Sequence, residues 1–283
     1  ISAMRDDIIN LCHELIDAMP NGPFDILSHF ANRVPVLIIA RLLGVPETRA
    51  DDLLDWSHAM VAMYRQGRTK EEERAAIKAT TSFVTFLREY ITLRRTAGGD
   101  DLISRLIAAQ DNDGKLSDDE LISTCILLLN AGHEATVHAL GNGIKTILET
   151  GVDRVVTPEL VEEILRFDPP LHMFTRWVYE DVTLFGHDFK RGDQIGCLLG
   201  AANRDKQVWT DANTFNPTRK ITANTAFGAG IHFCVGAPLA RLEMTLALEV
   251  LFKRLPDLKL AKAPIYADTY HFHGLGSLIV TKD

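Results

Sequence analysis

Residues Phe227–Gly236 read FGAGIHFCVG, and no other stretch constrains the fold as tightly: one cysteine, Cys234, sits in a glycine-rich loop that runs straight into a helix. Glycine tolerates positive φ and lets other groups approach the backbone closely, so Gly228, Gly230 and Gly236 allow a tight loop around Cys234. Pro238 suits a first helical turn, and Leu239, Leu242, Leu246 and Val250 recur at helical spacing, which predicts a helix to about Leu255. Cys234 therefore stands at a helix N-terminus. Unpaired backbone N–H groups and the dipole there favour an anion and make a thiolate metal ligand credible. Without such surroundings a lone cysteine reads as a small buried hydrophobe.

The 283 residues, 46% of them hydrophobic, suffice for a sizeable core, and the chain is read as one domain over 1–283. A net charge of -8 with no basic cluster argues against a nucleic-acid partner. Apolar stretches such as Cys125–Leu129 are far shorter than a membrane span, and the first residues lack a basic region followed by an apolar signal segment. No membrane association and a cytoplasmic location are expected. Cys12, Cys125, Cys197 and Cys234 are scattered without a C-x-x-C pair, so neither a zinc site nor a disulfide framework is expected.

Amphipathic helical patterns dominate the first two thirds, over Arg5–Ala18, Asp25–Leu43, Arg49–Arg65 and Glu71–Arg95. After Asp168 the segments are short and β-like: Val182–Phe185, Phe189, Gln194–Leu199 and Leu278–Thr281. The expected class is mainly α with a small β portion, α+β.

Ser117 with Glu120 forms a capping-box pattern that starts a helix running to about Glu149. Ala131 and Ala135 lie on one face of it and leave room for a bulky planar ligand, whereas the weak helix former Gly132 marks a place for local distortion. His133 and His138 miss the H-E-x-x-H spacing of zinc proteases by one residue, which argues against that metal site. Further on, Glu163 and Arg166 are spaced by three on a helix, compatible with an ordinary surface pair.

The pattern F-G-x-G-x-H-x-C-x-G is matched at Phe227, Gly228, Gly230, His232, Cys234 and Gly236, and the chain here resembles the cytochrome P-450 family of haem-thiolate monooxygenases. The resemblance implies that family's fold, haem b as cofactor and Cys234 as the axial thiolate on its iron. It places Phe227, Gly228 and Gly236 at the thiolate side of the cofactor, and Ala131 and Ala135 at the oxygen side. The middle of the capped helix resembles the family's oxygen-binding pattern A/G-G-x-D/E-T-T, which makes Glu134 the acidic residue of proton delivery. The first threonine position of that pattern is Ala135, and a hydroxyl appears only at Thr136. Thr136 takes part in the relay only if the helix is locally unwound.

Glu163 and Arg166 resemble the family's E-x-x-R motif. With Arg219 of the Phe215, Pro217, Arg219 segment they imply a buried structural triad. Arg176 and His232 match positions that contact the haem propionates. Leu171, His172, Met173 and Phe174, with Tyr270, His271 and Phe272 and the helix around Leu129–Ala135, are the implied substrate pocket. No H-x-x-x-R precedes the first helix, and the stretch from Glu149 to Pro158 is short for the family. The chain is therefore expected to be incomplete at the N-terminus, without the first strands, the first helices and the substrate-lid segment.

The implied reaction inserts one oxygen atom from O2 into a C–H bond of a small, mostly lipophilic substrate. No flavin or iron–sulfur motif is present, so a ferredoxin or flavodoxin-like electron donor with its reductase is expected, with Arg241 as a docking cation. A peroxide-driven peroxygenase and a non-catalytic haem- or ligand-binding protein are the alternatives.

Overall fold

The computed structural model describes residues 2–65, 67–113, 116–220, 224–269 and 271–282. Its helices are α1 (Arg5–Asp17), α2 (Arg33–Leu43), α3 (Ala50–Val61), α4 (Lys70–Ala97), α5 (Leu102–Asp113), α6 (Asp118–Thr150), α7 (Pro158–Phe167), the short α8 (Leu199–Ala202) and α9 (Ala237–Arg254). The longest two start where side-chain oxygens meet free N–H groups. Thr69 Oγ1 accepts from the Glu72 N–H at 3.2 Å and Ser117 Oγ from the Glu120 N–H at 3.3 Å, each glutamate answering the cap residue's own N–H at 2.7 Å. Gly151 closes α6 in the left-handed region at φ 65°. Thr157 caps α7 with Pro158 in its first turn.

The strands are β1 (Phe24–Asp25), β2 (Met173–Trp177), β3 (Val182–Leu184), β4 (His187–Phe189), β5 (Gln194–Leu198), β6 (Lys259–Leu260), β7 (Ile265–Tyr266), β8 (Leu275–Ser277) and β9 (Ile279–Thr281). They form small antiparallel sheets, β1-β9-β6, β2-β5, β3-β4 and β7-β8. Mainly α with a small β portion is thus the observed class.

The continuous helix predicted over Asp25–Leu43 is corrected. Phe24 and Asp25 pair with Val280 and Ile279, Leu27–Ala31 makes a π-helical turn, and α2 begins only at Arg33. The cause is Asp25, whose carboxylate accepts from the N–H groups of both Leu27 and Leu278 and so ties this segment to the chain's last strand.

Two apolar clusters form the interior. One joins α1, α2, α7, α9 and the C-terminal half of α6, including Leu140, Ile144 and Ile147. The other joins α3, α4, α5, the N-terminal half of α6, including Leu121, Cys125 and Leu129, and the last turn of α2, with Ile39, Ala40 and Leu43. The middle of α6, from Asn130 to His138, contributes to neither. Among the described residues no helix is long and apolar enough to cross a membrane.

Candidate active site

The α9 end carries the cysteine loop. Gly228 and Gly230 both take φ 70°, which a side chain would resist, and the Cys234 N–H donates to the Phe227 carbonyl at 3.0 Å. Gly236 is the residue before α9, and a Cβ built there would stand 3.7 Å from Cys234 Sγ. Cys234 is free and exposed at the helix N-terminus. His232 ends a 3-10 turn beside it and is likewise exposed. Arg241 pairs with Glu162 and lays its guanidinium 4.5 Å from the Phe227 ring centroid. The expected docking cation is thus paired within the chain and packed against the loop's Phe227, with its side chain still partly exposed.

Behind the loop lies a buried charge cluster. Glu163 receives Arg166 in a two-pronged pair at 2.7 and 2.8 Å, and Arg219 Nε reaches the same carboxylate at 3.2 Å. The Asn216 N–H donates to Glu163 at 2.8 Å, while Arg166 also donates to the carbonyls of Asn203, Ala212 and Thr214. Glu163 and Arg166 are both fully buried. This network pins the 203–219 stretch to α7.

Arg176 lies on exposed β2 and donates to the neighbouring Thr175 carbonyl at 2.9 Å. On α6, Ala131 is exposed and Ala135 half-buried on the same side. The helix is regular from Asp118 to Thr150, so the distortion expected at Gly132 is absent. Close packing accounts for that glycine instead, since a Cβ there would lie 2.7 Å from Ile39 Cδ1 of α2. In a regular helix residues two apart point about 200° from each other, so Thr136 and Glu134 share no face. Thr136 is buried away from Glu134.

Glu134 is itself buried, with the Ser57 hydroxyl donating to Oε1 at 3.3 Å. His58 from α3, His133 and His138 surround it with Nε2 atoms 3.5, 3.6 and 3.9 Å from its oxygens. Burial pushes the Glu134 carboxyl up, but the facing imidazole of His133, with His58 and His138 behind it, outweighs burial and holds it below its ordinary value. Burial holds the His138 imidazole below its ordinary value, against the pull of Glu134. His58 and Glu134 were not paired by sequence because α3 and α6 lie far apart in the chain; only an unabsorbed His beside an acid hinted at them.

The expected substrate residues fall into two places rather than one. His271 and Phe272 line a cavity of about 360 Å³ with Glu134, His138, His58, Val61 and Arg65. Phe272 stacks on His138, and His271 stacks on Tyr64 at 4.6 Å between centroids. His172 and Met173 line a second cavity of about 380 Å³ with Asp168, Leu198, Arg204 and His273. Phe174 is exposed and meets the edge of His271, and Leu171 bridges Phe272. Leu129 belongs to the core and lines neither cavity. Tyr270 lies outside the described residues. The first cavity is walled on one side by α3 and the residue after it, through His58, Val61 and Ala62.

An exposed thiol on a glycine loop, a buried Glu–Arg anchor behind it and a small-residue face on a long helix are the features the haem-thiolate resemblance implied, and all three are present in the fold. A family profile described as Cytochrome P450 matches residues 152–258. The polyketide biosynthesis cytochrome P450 PksS of Bacillus subtilis is 38% identical over 273 residues, 93% of this chain and 66% of that protein. The vitamin D(3) 25-hydroxylase of Pseudonocardia autotrophica is 36% identical over 99% of this chain and 71% of its own length. A myxobacterial cytochrome P450, CYP267B1, solved with myristic acid, superimposes with a TM-score of 0.94 at 32% identity, covering 100% of this chain and 72% of that one. The chain belongs to the cytochrome P450 family. It spans about two thirds of the length of the curated relatives it matches.

Haem b is the cofactor of this family, held through a cysteine thiolate. The residues present fit it. Cys234 is accessible, a Cβ at Gly230 would meet nothing within 4 Å, and Ile231, Phe233 and Val235 expose apolar surface on the same loop.

Proposed function

We propose that this chain carries the working centre of a haem-dependent monooxygenase that inserts one oxygen atom from O2 into a C–H bond of a small, mostly lipophilic substrate. Bound haem supplies the oxygen activation. The observation that carries the reading is Cys234, exposed at the N-terminus of α9 within a glycine loop of a P450 chain. Phe227, Gly228 and Gly236 shape the thiolate side, and backbone N–H groups there temper the sulfur's electron donation. Arg176 and His232, cationic or hydrogen-bonding and both exposed, hold the two propionates. Glu163, Arg166 and Arg219 fix the frame.

On the other side, the small side chains of Ala131 and Ala135 leave space along α6. Glu134, at rest a carboxylate accepting from Ser57, relays the proton it receives, with half-exposed His58 as its route to solvent. A lipophilic substrate enters beside Phe272 and Val137, with His271 and His138 orienting its polar end. The names of relatives support lipophilic substrates: one acts on vitamin D(3), another hydroxylates 6-deoxyerythronolide B. Electrons come from a ferredoxin or flavodoxin-like donor with its reductase.

One observation favours a second reading. With Ala135 in a regular helix and Thr136 turned away, the hydroxyl that would assist proton delivery is absent from that face, and peroxide as oxidant would bypass the need for it. The haem-loaded chain should show the Soret position of a thiolate-ligated haem when reduced under carbon monoxide, and Cys234→Ala should lose it. Retention of that band in Cys234→Ala overturns the ligand assignment. Isotope-labelled O2 with an electron donor, against unlabelled peroxide alone, separates the two oxidants.

A further inference from the structure

The group around Glu134 has a geometry that proton transfer alone does not require. The ring of His133 is fully buried, and its Nδ1 lies 2.7 Å from the Leu129 carbonyl oxygen. A carbonyl only accepts, so Nδ1 donates to it and Nε2 is the ring nitrogen left to face Glu134. That Nε2 has no hydrogen-bond partner among the described residues, and it lies 3.6 Å from Glu134 Oε1. In the Nδ1–H tautomer two electron-pair donors point at one another in a dry setting, an arrangement that a cation between them resolves, and a third donor beside them makes that cation a metal ion rather than a second ring proton. A backbone carbonyl fixing the tautomer through the far ring nitrogen is also how metal-bound histidines are held.

The third donor comes from α3. His58 Nε2 lies 3.5 Å from the same Glu134 oxygen, and the ligand atoms of His58, His133 and Glu134 all lie within 4.8 Å of one another. Tetrahedral bonds of 2.0–2.1 Å space their ligands about 3.3 Å apart, so a small inward shift of His58 closes the shell. We propose that His58, His133 and Glu134 form a binding site for a divalent transition metal of the Zn2+ class, with His138 as the nearest additional nitrogen. Imidazoles with one carboxylate suit Zn2+, Ni2+ or Cu2+ rather than Mg2+ or Ca2+.

Access and local charge agree. His58 is about half exposed and opens onto the cavity that Glu134 and His138 line. Arg65, also on that cavity, is paired with Glu72 at 2.9 Å, so it does not set a free positive charge against the ion. The spacing of His133 and His138 argued against a metal because it considered one helix, whereas the completing ligand lies on another. Metal bound here occupies the electron pair by which Glu134 holds a proton, so the site acts as a brake on the proposed oxygen chemistry. The binding itself stands independently of that chemistry.

Equilibrium dialysis of the haem-loaded chain against Zn2+, in competition with a chromophoric chelator and with zinc read by atomic emission, tests the site. One Zn2+ per chain should be retained. His58→Ala and Glu134→Gln should each weaken retention at least tenfold, whereas His187→Ala on exposed β4 should leave it unchanged. His58 is exposed enough that its variant folds, and circular dichroism verifies this for both. No retained zinc overturns the proposal, as does retention by His58→Ala and Glu134→Gln undiminished from the parent chain. Loss on His172→Ala in their place reassigns the ion to the Asp168, His172 and His273 group and refutes it equally.

Discussion

Replacing Glu163 by alanine removes the centre of a buried network, and the structure gives the size of the effect. The five N–H groups of Arg166 are all engaged: two with Glu163 and three with the carbonyls of Asn203, Ala212 and Thr214. In Glu163→Ala the guanidinium keeps those carbonyls but loses its counter-charge while remaining fully buried. The Asn216 N–H and Arg219 Nε lose the same acceptor. Removing one member of a buried pair costs about 3–5 kcal/mol because the remaining charge is uncompensated. That is a large share of the 5–15 kcal/mol that typically separates folded from unfolded chains. At about 2–4 °C per kcal/mol for a chain of somewhat smaller size, the melting midpoint should fall by roughly 6–20 °C. Calorimetry of the haem-loaded chain measures it. The exposed pair of Lys190 with Asp181 is the control, and Asp181→Ala should leave the midpoint almost unmoved. Equal midpoints for Glu163→Ala and the parent chain would show that the carboxylate's desolvation cancels its attraction, and would refute the anchoring argument.

Gly132→Ala should destabilise by about 1–3 kcal/mol despite the better helix former, since its Cβ would overlap Ile39; adding Ile39→Val should recover part of the loss in urea titrations. Ala135→Thr restores a hydroxyl on the face shared with Ala131 and should raise the fraction of consumed O2 that appears in product, read by product yield per O2 at unchanged haem content. Asp168 yields a pH effect. Burial pushes its carboxyl up, but His273 at 3.0 Å, the Tyr266 hydroxyl and Lys145 at 3.4 Å outweigh burial and hold it below the ordinary 3.8. A carboxyl lowered on folding adds stability that is complete above its unfolded value and disappears as pH falls through the folded one. Asp168→Asn should therefore be less stable than the parent near pH 6, and the gap should narrow below about pH 4 in denaturant melts.

Helix starts were legible where a side chain announced them. Ser117 with Glu120 is such a local device, and α6 begins at the next residue; α4, read from its amphipathic pattern alone as starting at Glu71, begins at Lys70 behind a capping box of Thr69 and Glu72 of the same kind. The thiolate loop was legible for the same reason: Gly228, Gly230, Cys234 and Gly236 act within ten positions. What stayed hidden depends on distant segments. Asp25 breaks its helix because Leu278 needs an acceptor. Gly132 is small because Ile39 packs on it, and not because the helix bends. Glu134 finds Ser57 and His58 only once α3 lies across α6. Tyr270, His271 and Phe272 were read as one pocket with His172 and Met173, yet His271 and Phe272 line one cavity and His172 and Met173 the other, a division set by where β2 and the C-terminal segment come to lie.

Helix α6 runs 33 residues, about 50 Å, and both apolar clusters are built on it. One rod thus serves as a common axle, and Ala131, Glu134 and Ala135, the positions proposed for the oxygen chemistry, occupy its waist between the two masses. Helix α2 is the second tie, with Leu37 and Ile38 in one mass and Ile39, Ala40 and Leu43 in the other. The waist is therefore a seam stitched twice, and a substitution that loosens either mass reaches the proposed reaction positions through the helices they share.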